Sequence, residues 1–345
     1  MMKVVVVGGG AAGFFAALNF KERHPDAQVV ILERTRQPLA KVKISGGGRC
    51  NVTHSCFDPK SLVANYPRGN LELLGPFHKF QPKDTLAWFE KRGIEFKTEA
   101  DGRIFPTTDS SQTIIDCFMK EVKRLDVTLR LETTVEKIEP GFTIHLKGGE
   151  ILNADKVILA TGSNPLGYAL AESLGHTLVK PVPSLFSFNC PTSPLLDLSG
   201  IAVPLGYASL KGTAFQTEGP ILITHWGFSG PAILKLSAFA ARHLHEVQYK
   251  ATVVIDWGET IPKNLLKKLD PLKLHASEYQ IDGKTTYKSE FVTAGGVELK
   301  EVHFKNMESK KVPNLHIIGE LLNIDGVTGG FNFQNAWTGG FLCSQ

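Results

Sequence analysis

Three glycines and an acid near the N-terminus carry the first chemistry legible in this chain. Gly8, Gly10 and Gly13 are spaced as G-x-G-x-x-G, and Glu33 follows 20 residues after Gly13. Gly8 lets the backbone turn sharply, Gly10 leaves room for a pyrophosphate against the main chain, and Gly13 lets a helix pack closely on a sheet. The free amides and positive end of that helix, at Gly10, Ala11 and Ala12, suit phosphate oxygens. Glu33 suits ribose hydroxyls and disfavours a 2′-phosphate. A dinucleotide is implied, and FAD and NAD both answer the description. Further along, Cys50 and Cys56 lie in one short stretch, and His225 precedes Gly227-Phe228-Ser229-Gly230-Pro231. A structural role competes with a catalytic one for each of these three.

The elements that must position these groups follow from patterning. Val4 to Val7 form a strand, Phe14 to Phe20 continue a helix, and Val29 to Leu32 form a second strand ending on Glu33. After the basic stretch Arg34 to Lys43, which includes Lys41, come Ser45-Gly46-Gly47-Gly48-Arg49-Cys50-Asn51. Three consecutive glycines do not belong in a helix or strand interior and suit a loop whose amides lie against a ligand. Helices are expected over 82–92 and 113–125, and strands at 94–98, 128–131 and 134–138. A hairpin is expected over 143–154. The strand ending in Ala160-Thr161-Gly162 is buried in character, and its small residues would admit a cofactor. No second G-x-G-x-x-G follows it, so a separate NAD(P)H domain is not visible.

From Pro181 the chain breaks into short extended pieces, with strands expected at 207–210, 214–216, 221–224 and 252–256. A helix is expected from Pro231 to about His243, and 261–274 has room for one short helix. The reading is a discontinuous Rossmann-like α/β domain over 1–184 and 290–345, with an inserted, mainly antiparallel β domain over 185–289. Leu315 to Glu320 is a further strand, containing Gly319 and Glu320 at its end. Beyond it, Asp325 and the run Gly329-Gly330-Phe331-Asn332 lead into a helix near Phe333. A second glycine-rich helix start, so far from the first, favours FAD, which is long enough to need a second grip at its flavin half.

Bulk properties bound the answer loosely. The 345 residues are 42% hydrophobic and 21% charged, with a net charge of +4. Mild basicity permits an anionic substrate or an RNA surface, including Lys263, Lys267, Lys268 and Lys273, without pointing to one. No apolar run approaches the ~18 residues of a membrane helix. The first strand begins at once, leaving no room for a signal peptide, and five irregularly spaced cysteines suit a reducing cytoplasm. No metal site is expected, and oligomeric state is open.

Taken together, the motifs resemble the YhiN/BaiN-like family of NAD(P)/FAD-dependent oxidoreductases, flavoproteins with a glutathione-reductase-like FAD domain. The carrying residues are Gly8 to Gly13, Glu33, Ser45 to Asn51, Gly102 to Pro106, Ala160 to Gly162, Gly227 to Pro231, Thr293 to Val297 and Gly319 to Trp337. The resemblance implies FAD bound extended in the discontinuous domain, with the insert covering the flavin. Glu33, with Arg34 beside it, would take the ribose, Gly10 to Gly13 the pyrophosphate and Val135 the adenine. Ser45 to Asn51 would line the ribityl and flavin side, and Asp325 with Gly329 to Asn332 the pyrimidine end, with Lys41 and Lys43 among the further cofactor contacts. It further implies hydride passing from NADH or NADPH through flavin N5 to a carbon–carbon double bond, in a steroid-like enone or an RNA uracil, with an acid completing the reduction. Cys50 and His225 are the candidate acids.

Two alternatives stay open. Disulfide reductases of this fold place four residues between their redox cysteines, whereas five separate Cys50 from Cys56. A non-catalytic FAD protein serving as a redox sensor or docking module is the other. One departure bears on the substrate surface: the family carries a helical subdomain in its insert that this chain has little room for.

Overall fold

Four consecutive valines make β1 (Lys3–Val7), and all four are buried because both faces of the strand are covered. β1 pairs in parallel with β2 (Gln28–Leu32) on one side and with Lys156–Leu159 on the other. In the computed structural model, which describes residues 1–285 and 292–345, the sheet has seven strands. Their order is Val302–His303, Glu308–Ser309, Leu315–Ile317, Lys156–Leu159, β1, β2 and Thr128–Arg130. The β1-to-β2 crossover is α1 (Ala11–Arg23). The C-terminal helix Phe331–Leu342 packs on α1, with Gly340 so close to Ala12 and Ala16 that a Cβ there would lie 3.0 Å from their backbone. Phe15, Phe89, Phe118 and Trp337 fill the space beside it with tilted and edge-on ring contacts.

The chain divides into two units, one of Met1–Pro181 with Gly295–Gln345, the other of Val182–Ala294. The domain end expected at 289/290, and Phe291, lie outside the described residues. The second unit has a seven-stranded sheet ordered Ser277–Asp282, Lys250–Asp256, Ala202–Leu210, Gln216–Thr224, Gly227–Ser229, Ser187–Asn189 and Lys284–Thr285. Its neighbouring strands run antiparallel. Phe186, Phe188, Phe228, Trp257 and Ile233 belong to its core.

Several local expectations need correction. The helix starts at Pro231 as expected, after a short strand at Gly227–Ser229, but breaks at Ala240 into Pro231–Phe239 and Ala241–Glu246. The segment 261–274 holds only one helical turn, Lys263–Leu266, and a 3-10 turn, Pro271–Lys273. Helices without a sequence assignment include Ala40–Gly48, Pro59–Val63, Pro165–Ser173 and Asn70–Lys79, the last with Pro76 inside it. An interior proline removes one helix hydrogen bond and masks the pattern. Of the four lysines considered as an RNA surface, Lys268 pairs with Asp197 and Lys273 with Asp270, so two are spent on the protein itself.

Candidate functional site

The first glycine turn has the geometry its spacing implies. Gly8 has φ +113, and a Cβ there would collide with the Ala160 carbonyl; one on Gly13 would collide with the Gly8 carbonyl. Gly10, by contrast, faces open space. Gly10 starts α1 with no side-chain cap and no acid in the first turn, so its end is left positive. Glu33 is half-buried at the tip of β2. Its Oε2 accepts the Gly9 N–H at 2.9 Å, and its Oε1 accepts the Thr35 N–H and hydroxyl at 2.8 and 2.7 Å. A cavity of about 60 Å³ adjoins this turn. It brings together Gly8, Glu33, Arg34, Val135 and Thr161, with Thr133, Asn164 and Leu166, which no spacing or motif singles out.

The Ser45–Asn51 loop interrupts a helix that begins at Ala40. Ser45 is extended, and Gly46, Gly47 and Gly48 all have positive φ, with open space beside Gly47 and Gly48. Lys41 reaches from this segment to Glu320 at 2.5 Å, and Lys43 is exposed. Arg49 turns onto Phe105, 4.0 Å from the ring centroid, and pairs with Glu99 at 2.6 Å. Cys50 is fully buried with φ +61, and burial pushes its thiol up to about 12 despite a hydrogen bond with Ser45. Cys50 and Cys56 are free thiols.

The second glycine turn precedes the C-terminal helix. Gly329 and Gly330 have φ +130 and +92; Gly330 is the N-cap residue, again without a side-chain cap or a first-turn acid. Asn51, with its amide turned as its neighbours require, accepts the Gly330 N–H at 3.0 Å and donates to Thr53 O at 2.9 Å. The helix is anchored below by Trp337 Nε1 donating to Val52 O at 2.9 Å and by Thr53 and Thr85 hydroxyls donating to Gln334 Oε1. Asn332 closes the loop through both its amide atoms, to Gly326 N and O. Phe331 stacks on His54 at 4.8 Å, and a Cβ on Gly329 would lie 3.4 Å from that imidazole. His54 was not selected from the sequence; nothing in Val52-Thr53-His54-Ser55 signals a partner so far along the chain.

Asp325 has its carboxylate fully buried and gripped by Arg68 through two hydrogen bonds. Gly319 sits against Ala12, and the adjacent Glu320 is the partner of Lys41. Gly162, φ +61, lies nearby, its missing Cβ 3.8 Å from Glu320. His225 lies in the other unit, exposed in the turn after Gln216–Thr224. A groove of about 800 Å³ lies elsewhere. It surrounds Arg23, Trp88 and Phe341 at the far end of α1, contains none of the selected residues, and its basic residues sit near helix C-termini that they offset.

The donor set fits FAD. Two uncapped glycine-started helices in one unit, with open backbone at Gly10, Gly47 and Gly48, leave a cradle that side chains would fill. Comparisons with known proteins agree. The HI0933-like protein Rossmann domain matches residues 2–345. A ribosomal RNA dihydrouridine synthase of Escherichia coli is 29% identical over 400 positions, covering 99% of this chain and 96% of that protein. A 3-dehydro-bile acid delta(4,6)-reductase of Clostridium scindens is 28% identical over 408 positions, covering 100% and 98%. Both alignments are longer than 345 residues, so these relatives carry segments this chain lacks. Among solved structures, a 3-ketosteroid-delta4-(5alpha)-dehydrogenase from Rhodococcus jostii RHA1, in complex with 4-androstene-3,17-dione, shares the fold. Its TM-score is 0.58 at 15% identity, over 100% of this chain and 97% of that one. Among the described residues no helix is long and apolar enough to cross a membrane, and no metal-ligand cluster occurs.

Proposed function

The chain belongs to the HI0933-like Rossmann family, and from that premise we propose that this FAD-dependent oxidoreductase uses NADH or NADPH to saturate a carbon–carbon double bond conjugated to a carbonyl. The names of the dihydrouridine synthase and the bile acid delta(4,6)-reductase both describe saturation of a ring double bond. A uracil ring and a cyclic enone share one electronic feature, conjugation to C=O, so hydride is accepted at the β carbon and a proton at the α carbon. Those two substrate classes are the ones this reading admits.

The observation that carries it is the bond from Asn51, closing the Gly46 loop, to Gly330 at the start of the C-terminal helix, in the same unit as the uncapped start of α1. In this reading Glu33 and Val135 hold adenosine, the amides of Gly10 to Ala12 hold the diphosphate, and Gly46 to Gly48 let the backbone approach the ribityl chain. The Gly329 amide and the amides of the helix's first turn after Gly330 face the pyrimidine end, the Gly330 amide being held by Asn51. Bound there, FAD supplies two-electron transfer through its flavin ring. Burial keeps the Cys50 thiol protonated near neutrality, which disfavours a thiolate role for it.

Anaerobic mixing with NADH and with NADPH tests the reading. The expected result is rapid bleaching of the flavin band by one of them, and reoxidation on adding a cyclic enone or uridine-containing RNA. A flavin that neither nucleotide bleaches overturns it. The same protein separates this chemistry from a dithiol mechanism. At pH 8, iodoacetamide should label half-buried Cys56 before buried Cys50, and Cys56→Ser should keep nicotinamide-driven bleaching. Lost bleaching with FAD still bound would favour the dithiol.

A further inference from the structure

The segment Asn65-Tyr66-Pro67-Arg68-Gly69 fastens the loop that ends in Gly329 and Gly330. The Asn65 carbonyl accepts the Val327 N–H at 2.9 Å, and the buried Tyr66 hydroxyl donates to the Phe331 carbonyl at 2.6 Å. Arg68 and Asp325 meet twice, as a backbone β-bridge and as a two-pronged ion pair from Nε to Oδ1 and Nη2 to Oδ2. Gly69, φ +82, packs so closely on Ile324 that a Cβ would overlap it. Contacts from four of these five residues make a strap.

The ion pair at its centre is a poor source of stability, because desolvating both charges cancels most of their attraction. It provides two other things. The guanidinium fork accepts one orientation of the carboxylate, so the loop cannot slide. It also neutralises the acid next to the C-terminal helix, whose positive end Asp325 would otherwise oppose.

We propose that Arg68 is a positioning residue for the flavin end of the site, holding the loop from Ile324 to Gly330 so that the amides starting the C-terminal helix are aimed at the bound ring and raise its reduction potential. The inference rests on the reading of that loop as the flavin end. A fixed positive field favours the electron-rich, reduced ring over the oxidised one. Arg68 therefore tightens binding of both forms, and of the reduced form more.

Two variants separate positioning from simple structural support. Arg68→Lys keeps the charge and loses the fork; Tyr66→Phe removes a neighbouring tie without touching charge. In the protein without FAD, hydrogen exchange at the Val327 amide should quicken in both, while β1 amides stay protected. With FAD, the Arg68→Lys dissociation constant should rise about tenfold and that of Tyr66→Phe a few-fold, as for one lost or weakened hydrogen bond. The midpoint potential should move negative in the same order. Faster exchange in β1 as well would mean that Arg68 only supports the fold, and overturns the proposal. Arg68→Lys with unchanged affinity and potential on an FAD-replete protein also overturns it, leaving the site reading intact. A wild-type protein that takes up no FAD defeats the site reading, and this inference with it.

Discussion

The two glycine-started helices offer a ligand the same thing and are held in opposite ways. α1 begins at Gly10 and the C-terminal helix at Gly330, both uncapped and free of first-turn acids. A side chain from a distant element takes the glycine N–H beside each: Glu33 for Gly9, Asn51 for Gly330. One is a carboxylate and the other a neutral amide. At the second start the neighbouring acid, Asp325, is itself cancelled by Arg68. The charge difference matches what each end is proposed to hold. A carboxylate beside the first turn can take ribose hydroxyls; neutrality beside the second leaves the helix field unopposed for a ring that gains electrons.

The sharpest way to break this pairing is at Gly13. Gly13→Ala pushes a Cβ into the Gly8 carbonyl and should cost about 3 kcal/mol and abolish FAD binding. Gly10→Ala makes the same chemical change where space is open, so urea melts of the FAD-free protein should move by less than about 1 kcal/mol. Its FAD affinity should nevertheless fall, because the new methyl occupies the ligand's side. Flavin fluorescence titration checks both, and undiminished affinity in Gly10→Ala would remove the pyrophosphate from the first turn.

Exchanging the charge character of the two side chains that take these glycine amides comes next. Asn51→Asp loses the donor to Thr53 O and sets a carboxylate against that carbonyl, costing about 2 kcal/mol. It also places negative charge at the second helix start, so the flavin potential should move negative. Glu33→Gln turns one of two accepting oxygens into a donor facing donors, with a cost of about 1 kcal/mol and weaker FAD binding. Its potential should be unaffected, since the change lies at the adenosine end. Equal potential shifts in both variants would erase the distinction between the ends.

These two ends were unequally legible in the sequence. The first is local: strand, turn, helix and Glu33 all fall within 33 residues, and each follows from a spacing. Asn51 and the glycines at 329 and 330 could be picked out as residues, but the bond between them could not, because no periodicity links positions so far apart. The strap was invisible for the same reason. Asn-Tyr-Pro-Arg-Gly has the composition of any turn, and Pro76 disguised the helix that follows it. The domain split was suggested by texture, whereas the break at Ala240 has no breaker residue to announce it. Sequence patterning reported which backbone needs freedom; it did not report which remote side chain holds that backbone still.

The smallest effect should come from the ion pair that joins the two halves of the site directly. Lys41, ahead of the Gly46 loop, reaches Glu320, just after the Leu315–Ile317 strand, with the lysine side chain 53% exposed and the glutamate 18%. Exposed pairs gain little, since water and salt screen them and holding a long side chain costs entropy. Lys41→Met should therefore change FAD-free stability by less than about 0.5 kcal/mol. Its consequence should fall on the ligand: Glu320, left uncompensated near Gly162 and the start of α1, would repel a diphosphate. FAD affinity should drop a few-fold at low ionic strength and recover toward wild type in 0.5 M salt, where the Debye length shrinks to about 4 Å. A salt-independent loss of stability would instead make Lys41 a clamp like Arg68, and the two ends would then be held by charge alike.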